Sequence, residues 1–122
     1  MAERLSKKAL QILLSGKIKE EAALAVKFYS NGCHYCHSLK ERYEELSEEF
    51  DDEVYFYAFN VEDYPEIENI LNFRGVPAIC FMKVGSNPRI RLMSEPEEPN
   101  DDTWYEVSDI RKFIEDQRRK SK

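Results

Sequence analysis

Apolar residues recur along this chain with two different periods, and the switches between them mark out the elements. Ala22 to Tyr29 is a short apolar run interrupted only by Lys27, the pattern of a central strand covered on both faces. Leu39, Tyr43, Leu46 and Phe50 then fall on one helical stripe, which predicts a helix over Ser38 to Phe50. Val54 to Val61 reads as a second strand, rich in aromatics, and Ala78 to Met82 as a third. Between them Asp63-Tyr64-Pro65 opens a short helix carrying Ile67, Ile70 and Leu71, and Arg74-Gly75-Val76-Pro77 breaks the chain. Turn residues from Val84 to Pro88 lead into a returning strand, Ile90 to Met93.

The two ends read as helices. Leu5, Ala9, Ile12 and Leu13 predict one over residues 4–15, closed by Gly16. Ser108 is expected to cap another over about 108–119, with Val107, Ile110, Phe113 and Ile114 turned inward. Asp109 then sits at its positive end and Arg118, Arg119, Lys120 and Lys122 at its negative end. Trp104 and Tyr105 are expected to pack this last helix, and Ser94 to Asp102 forms an acidic, proline-containing loop before it.

Strands alternating with helices, followed by a hairpin and a final helix, give an α/β fold with a central mixed β-sheet flanked by helices on both faces. No repeat or linker divides residues 1–122, so a single domain is expected.

Composition narrows the function. A formal net charge of −6 excludes a general nucleic-acid-binding surface and leaves only the basic end of the last helix as a local exception. No apolar stretch approaches the length of a membrane span. Leu10 to Leu14 is too short for a secretory signal, so the expectation is a cytoplasmic protein, or one of the endoplasmic reticulum or periplasm if this is a mature form.

The chemistry concentrates in Gly32-Cys33-His34-Tyr35-Cys36-His37, between the first strand and the helix that follows it. A cysteine at a helix start lies beside unpaired N–H groups and the positive end of the helix dipole, which favour a thiolate. The thiolate is the form that attacks disulfides and binds metals. Three cysteines, two of them close together, do not make a disulfide framework; such a pair is catalytic or metal-binding. Two metal readings follow. Cys-x-x-Cys-His is also the attachment signal of c-type haem, with His37 as axial ligand and Met82 or Met93 opposite. Zinc or an iron–sulfur cluster would need Cys33, Cys36, His37 and Cys80 together. Cys80, within a strand pattern, otherwise reads as a small core residue.

Four features resemble the thioredoxin family in order and spacing: Val26-Lys27-Phe28-Tyr29 before Cys33-His34-Tyr35-Cys36, then Phe59-Asn60-Val61-Glu62, Arg74-Gly75-Val76-Pro77, and Phe81-Met82-Lys83-Val84-Gly85. The likeness covers about residues 20–93. It implies a thioredoxin fold and thiol–disulfide exchange with protein substrates, with a redox-active Cys33–Cys36 disulfide and no other cofactor or metal. Cys33 would be the exposed nucleophile and Cys36 the resolving thiol. Pro77 would be cis and face the pair, and the backbone of Val76 would pair with an extended substrate, beside Gly32 and Tyr35. A reductase or oxidant partner and a monomeric state are further expectations.

The departures from the family pattern are informative. Gly32 stands where the family usually has Trp, and His34 where thioredoxins have Gly. Lys27 aligns with the family's buried acid, and Ala58 with the lysine that often partners it. A buried cation beside thiols favours their thiolates, so Lys27 and His34 are expected to tune the pair and make it more oxidising than in ordinary thioredoxin. Lys27 could instead reach an edge of the sheet and tune nothing. A different class remains alongside: a non-catalytic binding module that keeps the fold and uses the acidic 94–102 loop to meet a partner.

Overall fold

The computed structural model describes residues 2–120. Five strands form one sheet in the order β1-β3-β2-β4-β5. They are β1 (Glu3–Arg4), β2 (Ala22–Tyr29), β3 (Tyr55–Asn60), β4 (Ala78–Val84) and β5 (Arg89–Leu92). The helices are α1 (Lys7–Leu14), α2 (His34–Glu49), α3 (Ile67–Leu71) and α4 (Val107–Lys120), with a 3-10 turn at Val61–Asp63. β2 pairs with β3 in parallel and with β4 antiparallel, and β4–β5 is the expected hairpin. Sheet and helices together make the mixed α/β architecture that the hydrophobic pattern implied.

Alternation along β2 divides the core in two. Leu24, Val26 and Phe28 face one side with Leu10 of α1, Phe59 and Ile67 of α3. Ala25 faces the other with Leu39, Tyr43 and Leu46 of α2 and Ile110 and Ile114 of α4. Period-2 alternation puts Lys27 on this second side, in the middle of the sheet.

Several boundaries differ from the sequence expectation. α2 starts at His34, not Ser38, because Cys33 caps it and Cys36 continues the buried stripe one turn upstream. α1 starts at Lys7, where the Ser6 hydroxyl accepts from the Ala9 N–H; Gly16, just past its end at φ +78°, is the left-handed residue that closes it. Glu3 and Arg4 form β1, which was not expected; it pairs Glu3 with Tyr57 and Arg4 with Ala58. α4 starts at Val107, so Ser108 lies inside its first turn rather than capping it. Ile70 is 54% exposed, leaving Ile67 as the one fully buried residue of α3. Lys122, placed on the basic end of α4, lies outside the described residues.

Candidate active site

The apolar demand of β2 and the buried stripe of α2 fix the strand end and the helix start between which residues 30–33 must turn. Cys33 is the N-cap of α2 in extended conformation, and its Sγ accepts the Cys36 N–H at 3.1 Å. A sulfur in that position replaces the oxygen of an ordinary N-cap and takes up one orphan donor of the first turn. Cys33 and Cys36 are joined as a disulfide, with Cα atoms 5.2 Å apart. Cys33 is the more exposed of the two, at 8% against 3%.

The turn before Cys33 is pinned from β3. Asn60 is buried; its Nδ2 donates to Asn31 Oδ1 at 3.1 Å, and its Oδ1 accepts the Glu62 N–H at 2.9 Å. Glu62 in turn accepts the Asn31 N–H at 2.7 Å. From α2, His37 Nε2 lies 2.8 Å from Asn31 O, so His37 anchors the turn rather than simply facing solvent. Sequence reasoning gave Asn60 and Glu62 no role. Their signal was a polar residue ending an apolar strand and another two positions on.

The remaining positions gather at the same end of the sheet. One residue beyond the Phe28–Ala78 pair, Pro77 falls opposite Tyr29, where the chain leaves β2 for the cysteine turn. The Val76–Pro77 peptide is cis, as the resemblance implied, and Gly75 before it holds φ +77°. A Cβ added at Gly32 would meet nothing within 4 Å, so no steric demand keeps a side chain from that position. His34 is exposed, with its ring 5.2 Å from that of Tyr35.

Trp104 packs against the core beside α4, as expected, and the structure adds a second contact. Its ring meets Tyr35 edge-on at 5.3 Å, and its Nε1 donates to Glu95 at 2.8 Å. Trp104 and Asn100 exchange backbone hydrogen bonds of 2.9 and 3.0 Å, and Asn100 Oδ1 also accepts from Asp102 and Thr103. The acidic loop is thus a closed, hydrogen-bonded structure that carries its tryptophan to the cysteine turn. Tyr105 next to it is buried and does pack against the α4 side of the core.

Lys27 is 4% exposed and pairs across the sheet with Ala58 and Ile79. It lies in an interior strand, and its side chain enters a cleft also lined by Tyr29, Tyr43 and Arg4. Its Nζ stands 5.1 Å from the Tyr43 ring and 5.9 Å from that of Tyr29. Desolvation lowers its pKa from 10.5 to about 8; Glu44 partly opposes this and Lys40 adds to it. Lys27 and Cys36 line the same cleft.

Cys80 takes no part in this arrangement. It is fully buried in β4, and desolvation pushes its thiol up to about 12. Among the described residues no three His, Cys, Asp or Glu side chains cluster as a metal site requires. The haem reading finds Met82 buried in the core on the α1 side and His37 Nε2 turned to Asn31 O.

A disulfide at the N-terminus of α2, with a cis proline just before β4 at the same end of the sheet, defines a thioredoxin-fold protein with a Cys-x-x-Cys centre. The family model described as thioredoxin matches residues 8–101, and the chain belongs to the thioredoxin family. It is 26% identical over 67 residues to a thioredoxin of Borreliella burgdorferi, covering 55% of this chain and 57% of that one. It is 26% identical over 68 residues to a thioredoxin of Rickettsia bellii, covering 56% and 65%. The chain thus spans less than two thirds of the length of either relative. Among solved structures, thioredoxin from Malassezia sympodialis superposes with a TM-score of 0.71 at 15% identity, covering 97% of this chain and 91% of that one.

Proposed function

We propose that this chain is a thiol–disulfide oxidoreductase acting on protein disulfides through Cys33 and Cys36. The observation that carries the reading is the Cys33–Cys36 disulfide with Cys33 as the cap of α2. Starting from the dithiol, the Cys33 thiolate attacks one sulfur of a substrate disulfide and expels the other as a thiolate. Cys36 loses its proton and attacks Cys33 Sγ, releasing the second substrate sulfur and restoring the Cys33–Cys36 disulfide. The substrate gains two electrons, and an external dithiol returns the enzyme to its starting state.

Lys27 and His34 tune this pair toward oxidation in our reading. Lys27 supports it because a desolvated cation sharing a cleft with Cys36 favours any thiolate there, which stabilises the dithiol form. Gly32, Tyr35, Val76 and Pro77 form the contact surface for the extended substrate.

Reduction of insulin by dithiothreitol, followed by turbidity, tests the activity. Wild type accelerates it; Cys33→Ser abolishes the acceleration, and Cys36→Ser accumulates a mixed disulfide through Cys33. No acceleration by the wild type overturns the reading. A redox titration tests the tuning: the potential lies above the about −270 mV of thioredoxin, and Lys27→Ala lowers it. An unchanged potential in that variant removes Lys27 from the mechanism.

A further inference from the structure

Behind the disulfide lies a cleft of about 300 Å³ that the exchange reaction does not require. Lys27 lines it from β2, and the rings of Tyr29 and Tyr43 wall it together with Ala58. Arg4, His37, Lys40 and Glu44 also line it. Two of these charges are already engaged: Arg4 pairs with Asp63 at 2.8 Å, and Glu44 accepts the Ala2 N–H at 3.0 Å. Lys27 is different. The residue is only 4% exposed, yet among the described residues no hydrogen bond or ion pair is formed by its Nζ, which faces the rings of Tyr29 and Tyr43 and feels the Glu44 carboxylate only at longer range. An ammonium so largely desolvated is costly, and an anion delivered from the cleft it lines would relieve it.

We propose that this cleft binds a small organic carboxylate, with the carboxylate on Lys27 Nζ and an apolar body against Tyr29, Tyr43 and Ala58. The charge of Lys27 sets the sign of the ligand. The aromatic walls and the volume set its class, because a hydrated inorganic ion would leave those rings facing water. The cleft is present with the disulfide formed, so the proposal does not depend on turnover.

Sodium benzoate is the probe, titrated into the oxidised, 15N-labelled protein at constant ionic strength. Saturable amide shifts are expected at Lys27, Tyr29, Cys36, Tyr43 and Ala58. Benzyl alcohol, of the same shape without the charge, and inorganic phosphate, charged without the ring, should each bind at least tenfold more weakly. Lys27→Met should lose the saturable shifts while keeping the rest of its spectrum, and Lys27→Arg should retain them. Non-saturating or scattered shifts, an unchanged isotherm in Lys27→Met, or equal binding of either control overturns the proposal. If Lys27→Met does not fold, the comparison of benzoate with its two controls on the wild type decides alone. Because no activity is measured, failure here is separable from failure in the insulin assay.

Discussion

Trp104 meets Tyr35 edge-on, 5.3 Å between ring centroids, although 69 positions in sequence separate them. The contact ties the acidic loop to the first turn of α2. An aromatic pair of this geometry contributes about 0.5–1.5 kcal/mol beyond its buried area. Trp104→Ala should therefore lower the unfolding free energy by about 2 kcal/mol, read by circular dichroism in urea. It also frees Glu95 from its hydrogen bond, so the loop should become more sensitive to limited proteolysis.

Lys27 gives stability a pH dependence of defined sign. Its folded pKa of about 8 lies below its ordinary value of 10.5. Between those values the unfolded chain holds more protons than the folded one, so stability rises as pH increases through that window. At neutral pH the charged form is destabilising by about 3 kcal/mol. Lys27→Met should be the more stable protein at pH 7, by about 2 kcal/mol, and should lose its part of the rise between pH 8 and 10.5. Tyr43 and Tyr105 act oppositely near the top of that range, since burial raises both phenols. The difference between wild type and variant isolates Lys27.

Gly32 and Gly75 predict opposite outcomes. Gly75 holds φ +77°, where a Cβ is strained even with open space around it. Gly75→Ala should cost about 1–2 kcal/mol in chemical denaturation. Gly32→Trp, placed in open space, should change stability by no more than about 0.5 kcal/mol. That variant restores an apolar surface ahead of Cys33, and a lower KM for insulin in the turbidity assay is the expected outcome.

Asn60 holds the turn before Cys33 from below. Asn60→Ala removes its bonds to Asn31 and Glu62 and leaves the Asn31 side chain without this donor. A loss of about 1–3 kcal/mol is expected. Amide exchange should speed up at residues 30–33 before it does elsewhere, a pattern that hydrogen–deuterium exchange resolves.

The strands and the long helical stripe were legible because each has a strong period and a buried face. β2 matches its expected bounds residue for residue. Cys33 was rightly placed at a helix start, but the apolar stripe alone began the helix at Ser38, because Cys36, which extends the stripe by one turn, was counted only as chemistry. β1 escaped notice because two residues carry no periodicity; only its pairing with β3 defines it. The cysteine pair and the cis proline stood in recognisable local motifs. Trp104 could not be placed the same way, since its position depends on a loop closed by Asn100 and on a φ of +67° that no sequence period encodes.

The closed loop that delivers Trp104 also carries five carboxylates, Glu95, Glu97, Glu98, Asp101 and Asp102, with no basic residue among positions 94–102. Any solute approaching the disulfide from that side crosses their field first. Thiols flanked by lysine or arginine are expected to react faster with the disulfide than an anionic thiol such as glutathione, a difference that stopped-flow oxidation rates would read and that Glu97→Gln with Glu98→Gln should reduce. Added salt, which shortens the reach of such fields to about 8–10 Å near physiological strength, narrows the gap between the two. On that expectation, discrimination among thiols would be partly a matter of diffusion and ionic strength, decided before any sulfur–sulfur bond is exchanged.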